Sequence, residues 1–307
     1  MEFLKLLEGI RVPALTGFMS VITYLGDETC FMAVALLFFW CINKKQGYFI
    51  FSVGLAGSII NQFLKLWFRI PTPWVLDPNF SIVEAAREAA TGYSFPSWHT
   101  QTAVGTFGGI ALCRKEKRVR VVCTVLIILV PFSRMYLGVH TPLDVVVSFI
   151  VAGALLLLLY PFFKSEAKTD RNAFYVILTV IGLAVLYMLF ILFYSFPEDI
   201  DPHNMESGTK NAYTFLGSLL GLLTGYVIDK KYIKFKTDAP IFGQILKFAV
   251  GLGLMVAVKS LLKAPLNVIF NGAQIANLIR YYLMVVFAAC LWPLSFPLFA
   301  KLGRKNN

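Results

Sequence analysis

What most constrains this chain is a succession of apolar stretches, each close to the ~20 residues that carry an α-helix through a bilayer, separated by short polar loops. Of its 307 residues, 58% are hydrophobic and only 15% are charged. No water-soluble domain of this size needs so much apolar surface. The pattern predicts an all-α fold, a polytopic membrane helical bundle, with about nine transmembrane helices at 29–43, 47–67, 100–113, 119–136, 142–163, 173–195, 211–228, 241–262 and 279–301. Residues 3–25 carry several charges and Pro13, and read as an amphipathic helix lying in the outer interface; a crossing at 10–26 would instead give ten spans, with both ends inside.

The net charge of +11 takes its meaning from where the cations sit. Lys44 and Lys45, Arg114 to Arg120, Lys164 to Arg171, Lys230 to Lys236 and Lys301 to Lys305 occupy alternate loops and the C-terminal end. By the positive-inside rule these are cytoplasmic, so the C-terminus is expected inside and the N-terminus outside. Each cluster is short and abuts an apolar run, which argues against a nucleic-acid partner. The other loops are acidic or mixed, at Asp27/Glu28, Glu84 to Glu88 and Glu198 to Glu206. The five cysteines lie in or beside apolar segments without a Cys-x-x-Cys pair, and read as small buried hydrophobes. Residues 1–11 are too charged for the core of a cleavable signal.

Three polar blocks interrupt the apolar pattern. They are Lys65 with the tail Arg69-Ile-Pro71-Thr72-Pro73, Pro96-Ser97-Trp98-His99, and Ser133-Arg134 followed by His140-Thr-Pro-Leu-Asp144. The predicted topology places all three on the extracytoplasmic side. Ionisable groups at membrane level are expensive, so they mark a candidate site. Thr141 and Pro142 suit the cap and first residue of a helix. His140 and Asp144 are four apart, so the carboxylate can orient the imidazole and leave its other nitrogen free to attack. Ser97 suits a helix cap whose free N–H groups face an anion, and His99 is placed to protonate a leaving oxygen. Lys65 and Arg134 supply the donors that a phosphate ester needs; Arg69 reads more readily as a snorkelling interfacial cation.

In this order the residues resemble the type 2 phosphatidic acid phosphatase superfamily, whose pattern is Lys-x6-Arg-Pro, Pro-Ser-Gly-His and Ser-Arg-x5-His-x3-Asp. The resemblance covers about residues 15–163 and implies a six-helix-type phosphatase core. It implies His140 as a covalent phospho-histidine, His99 as general acid and Asp144 as the group orienting His140. Around the phosphate it implies Lys65, Ser97, Ser133 and Arg134, with Thr72 and Trp98 at the remaining pattern positions, and neither metal nor cofactor. Thr72 stands where the pattern has arginine, and Trp98 where it has glycine. Both changes predict weakened turnover. More loosely, Pro73 to Asp77 and the extra helices resemble the glucose-6-phosphatase branch.

The expected organisation is a phosphatase core with an N-terminal interfacial helix at 1–165 and a four-helix transmembrane extension at 166–307. The expected function is hydrolysis of a phosphate or diphosphate monoester, first of all a phosphorylated lipid such as a polyprenyl diphosphate, phosphatidic acid or a sphingoid phosphate. Two alternatives stay open: an impaired phosphate-lipid binding or transport protein, and a sugar-phosphate phosphatase. The 68–98 loop, rich in proline and aromatics, reads as an ordered lid. Gly217, Gly221 and Gly225 suit close helix packing, either within the chain or in a dimer.

Overall fold

A computed structural model describes residues 1–87, 90, 92–164 and 166–302. Glu88 of the acidic loop, and Arg304 and Lys305 of the last basic cluster, lie outside the described residues. Among the described residues the structure is helical and contains no strand. Its helices are α1 (Glu2–Gly9), α2 (Pro13–Thr23), α3 (Glu28–Leu37), α4 (Lys44–Phe68), α5 (Pro73–Leu76), α6 (Trp98–Cys113) and α7 (Lys117–Tyr136). There follow α8 (Pro142–Lys164), α9 (Glu166–Phe193), α10 (Pro202–Ile228), α11 (Ile241–Leu261), α12 (Lys263–Ile269), α13 (Ile275–Val286) and α14 (Phe296–Lys301).

Seven helical segments among the described residues are long and apolar enough to cross a membrane: Lys44–Leu76, Lys117–Tyr136, Pro142–Lys164, Arg171–Phe193, Pro202–Ile233, Ile241–Ile269 and Ile275–Lys301. An eighth results if Pro13–Gly26 and Glu28–Ile42, bent by 54° at their junction, form one span. The expected count is about nine; by length and composition the described residues give seven, or eight with the bent pair. The expected span at 29–43 reaches sufficient length only with the arm before it. The expected span at 100–113 is the 16-residue α6, about 24 Å long against a hydrocarbon core of about 30 Å. Every residue of α6 from His99 to Gly109 is buried, so the helix is packed among its neighbours.

The chain divides into two compact units. The first comprises Met1–Met32, Val53–Pro161 and Pro197–Glu206; the second comprises Ala33–Ser52, Phe162–Phe196 and Ser207–Asn307. In the first unit α7 packs on both α6 and α2. Ala103, Phe107, Cys123 and Val130 form one core cluster. Leu4, Phe80 and Ile82 form another, which sets Leu4 of α1 against the 68–98 loop, while Phe3 and Leu6 of the same helix stay exposed. In the second unit the glycine stripe is filled within the chain. A Cβ at Gly217 would stand 2.2 Å from the carbonyl oxygen of Leu278, and one at Gly225 would stand 2.4 Å from Cβ of Ala289. These glycines let α10 lie against α13.

Candidate active site

The site residues all lie in the first unit, and local sequence fixes each helix end that carries them. At the end of α7, Gly138 takes a positive φ of 83°. Its N–H donates to Met135 O at 3.0 Å, and the N–H of Val139 donates to Arg134 O at 3.1 Å. This pair of bonds is a Schellman motif, which glycine permits because it has no Cβ. It stops the helix just after Arg134 and turns the chain towards His140.

The next helix opens with a capping box. The N–H of Asp144 donates to Thr141 Oγ1 at 3.3 Å, and the N–H of Thr141 donates to Asp144 Oδ2 at 2.7 Å. That same Oδ2 stands 3.5 Å from His140 Nδ1. The carboxylate that closes the helix start therefore also faces the imidazole, and one residue serves both ends of the expected pair.

A third group on this oxygen was absent from the sequence reading. Ser94 Oγ donates to Asp144 Oδ2 at 2.5 Å and stands 3.4 Å from His140 Nδ1. Ser94, His140 and Asp144 are all buried. Burial, assisted by the charges of Arg134 and Lys65 and opposed by Asp144, pushes the imidazole of His140 down to about 4. At neutral pH it is uncharged, the state in which a ring nitrogen can act as a nucleophile.

Ser97 caps α6. Its Oγ accepts from the Thr100 N–H at 3.4 Å and from Thr100 Oγ1 at 3.0 Å. Its own N–H donates to the carbonyl of Asp144 at 3.2 Å, tying the start of α6 to the start of α8. His99 is buried one residue into the helix, beyond the half-buried Trp98. A Cβ at Gly26 would meet the His99 carbonyl at 2.8 Å, so the turn after α2 presses directly on this histidine.

Arg134 is completely buried. Its Nη1 donates to Thr23 Oγ1 at 2.9 Å, while Nε and Nη2 are buried without a hydrogen-bond partner. The charges of Arg134 and Lys65 both act on His99 and on His140, so the four groups lie within electrostatic reach of one another. The half-buried Lys65 donates to the carbonyl of Tyr93. Asn204 holds that peptide in turn, since its Oδ1 accepts from the Tyr93 N–H at 3.0 Å.

The remaining positions stand differently. Ser133 Oγ donates to Val130 O at 2.7 Å, back into its own helix. Thr72 is buried at the start of α5 without a side-chain cap bond. Arg69 has a positive φ of 51°, and its Nη1 donates to Leu66 O at 3.2 Å, closing the end of α4. Among the described residues, no group of three His, Cys, Asp or Glu side chains comes together in a way that could hold a metal ion.

Comparison with known proteins adds two family matches. Residues 45–168 match the PAP2 superfamily, and residues 213–305 match the PAP2 superfamily phosphatase transmembrane extension. Lys65 to Asp144 all fall inside the first match. The chain is 30% identical over 124 residues to undecaprenyl-diphosphatase BcrC of Bacillus subtilis, a match covering 39% of this chain and 61% of that protein. It is 29% identical over 176 residues to phosphatidylglycerophosphatase B of Bacillus subtilis, covering 53% and 82%. It is 26% identical over 162 residues to a probable sphingosine-1-phosphate phosphatase of Dictyostelium discoideum, covering 48% and 38%. No solved structure matches.

Proposed function

The chain belongs to the PAP2 superfamily, and we propose that it is an integral-membrane phosphatase acting on a phosphorylated lipid. The observation that carries this reading is the buried edge of Arg134, whose Nε and Nη2 are without partners beside the His140–Asp144 pair. A buried guanidinium left half-satisfied is costly, and the planar fork of its donors matches two oxygens of a phosphate. The names of the three relatives favour a lipid phosphate or diphosphate over a sugar phosphate.

In the proposed reaction the phosphate lies on Arg134, with Lys65 and Ser97 as further donors. Asp144 holds the proton-bearing Nδ1 of His140. Nε2 then attacks phosphorus in line: the N–P bond forms as the ester P–O bond breaks, and the departing oxygen takes a proton from His99, which enters the step as imidazolium because the negative phosphate bound beside it favours its charged form against the burial and cations that oppose it. Neutral His99 then removes a proton from water, which attacks phosphorus and releases phosphate from His140. The positions of the basic loops support a cytoplasmic side for them, and with it an extracytoplasmic side for this chemistry.

A second reading, binding or transport without turnover, draws on Thr72. The pattern's arginine is absent there, and Arg69 is committed to the end of its own helix. One assay separates the two. Purified protein is given polyprenyl diphosphate, phosphatidic acid, sphingoid phosphate and glucose phosphate, beside His140→Ala and the double change Thr72→Arg with Trp98→Gly. Phosphate release by the chain as it stands, abolished in His140→Ala, is expected. Release only after the double change would establish the binding reading, and release that survives His140→Ala would sink the mechanism.

A further inference from the structure

We propose that the second unit carries an anion site of its own, which takes the phosphodiester headgroup of an anionic phospholipid from the leaflet that the basic loops face. Two adjoining cavities of about 330 and 290 Å3 share Tyr226 and Lys230. Lys44, Lys45 and Lys234 line the first, and Arg171 and Lys231 line the second. These cations come from three separate helix ends, so the chain gathers around one hollow charges that lie far apart in sequence. The retention of cations by cytoplasmic loops explains their number. It explains neither the hollow nor its wall.

That wall is aromatic. Tyr226 stands 5.6 Å from Tyr48 and 5.9 Å from Phe174, ring centre to ring centre. Lys230 Nζ donates to Tyr226 Oη at 3.3 Å, which turns the shared cation along the ring edge. Among the described residues the one carboxylate on the lining, Asp229, is already engaged. Its Oδ2 lies 2.5 Å from Lys44 Nζ, and its Oδ1 accepts from the Phe235 N–H at 3.0 Å. The remaining charge of the hollow is therefore strongly positive, as an anion requires.

The second cavity also has an apolar rim. Tyr175 and Val227, both on its lining, are 58% and 45% exposed, and Leu178 continues that exposed face of α9. Inorganic phosphate has no use for such a rim. A phospholipid does, because its acyl chains leave the headgroup along an apolar surface. Basic pockets at helix ends on this side of a membrane suit lipid phosphates, and their attraction is screened by salt.

The test uses the full chain in discs of equal parts phosphatidylcholine and phosphatidylserine, a lipid that the proposed hydrolysis neither consumes nor makes. Lipid retained after detergent extraction and washing is measured by mass spectrometry. Arg171→Gln with Lys230→Gln is compared with Lys117→Gln and Arg118→Gln, an equal loss of charge in a different basic loop. Phosphatidylserine retained over phosphatidylcholine should fall about ten-fold or more in the first pair and stay unchanged in the second. The charge-preserving Arg171→Lys with Lys230→Arg should keep most of it. If the first pair does not elute as a single species, Lys234→Gln at the rim of the other cavity reads the same loss. Equal falls in both pairs would mean diffuse surface attraction and would overturn the site. So would absence of enrichment in the unaltered chain. Displacement of the lipid by inorganic phosphate alone would assign the hollow to the free ion and refute the lipid.

Discussion

Replacing Arg134 by methionine should raise stability and remove turnover together. The side chain is fully buried, and of its three nitrogens only Nη1 has a partner, Thr23. A buried donor without a partner costs about 1–3 kcal/mol, and methionine carries none. Against that stands the bond to Thr23, worth about 1 kcal/mol, and a hydroxyl left to find another partner. Two idle nitrogens outweigh one lost bond, so a net gain of about 1–2 kcal/mol is expected, a rise of several degrees in Tm. Turnover should move the other way. Loss of one preorganised donor costs about 2.7–4 kcal/mol in the reaction step, or roughly 10²–10³ in kcat. The assay pairs a thermal unfolding curve with phosphate release, and adds orthovanadate as a phosphate mimic. Vanadate at about 100 times its Kd should stabilise the unaltered protein by about 2.7 kcal/mol and leave the methionine variant unmoved. Lower Tm with turnover intact would refute the reasoning, because Arg134 would then be a strut to Thr23 and nothing more.

Four further outcomes follow from the structure. With His140 held down to about 4, phosphate release should persist at pH 5 and fail only as pH drops towards 4, although a free imidazole titrates near 6.5; a pH–rate profile breaking near 6.5 would contradict this. The unfolded chain takes up that proton first, so stability complete above pH 6.5 should fall between 6.5 and 4 by at most about 1.4 kcal/mol per pH unit from this group. Asp144→Asn should cut kcat on the order of 10⁴-fold, as behind other catalytic histidines, with little change in Tm, whereas Asp144→Ala should also lose about 1 kcal/mol from the capping box; identical Tm values for the two would deny the carboxylate its capping role. Gly217→Val should destabilise the second unit by about 3 kcal/mol, because the added carbon would stand 2.2 Å from the Leu278 carbonyl; an unchanged unfolding curve would show that α10 and α13 can part without cost.

The helix ends at the site were legible because their chemistry is local. Thr141-Pro142 with Asp144 three residues after the cap announces a helix start, and the structure closes both bonds of that box. Ser97 before α6 is legible for the same reason. The span count was less so. Apolarity alone does not distinguish a helix facing lipid from one facing protein, and the 16-residue α6 is apolar because it is interior. The glycine stripe on α10 carried the same ambiguity, since small residues every fourth position fit any close neighbour. Only the fold shows that α13 is the neighbour.

The groups that escaped the sequence share a physical property. Ser94 reaches Asp144 across 50 residues, Asn204 reaches Tyr93 across 111, and Thr23 reaches Arg134 across 111. Arg11, which donates to the carbonyls of Tyr136 at 2.9 Å and Ser81 at 2.7 Å, acts across 125 and 70. Each is a common polar residue bonding across a long stretch of sequence, so no spacing rule marks it. Yet these bonds hold the motif residues where they are: Ser94 on the carboxylate, Asn204 on the peptide that receives Lys65, Thr23 on one corner of the guanidinium. A motif records the groups that can face a ligand. The bonds behind them can come from any segment that folds alongside. By the same reasoning Thr72 does not by itself decide whether the site turns over. What decides it is whether Arg134, held at one corner by Thr23 with its other edge open, supplies enough charge without the arginine that the pattern expects at position 72.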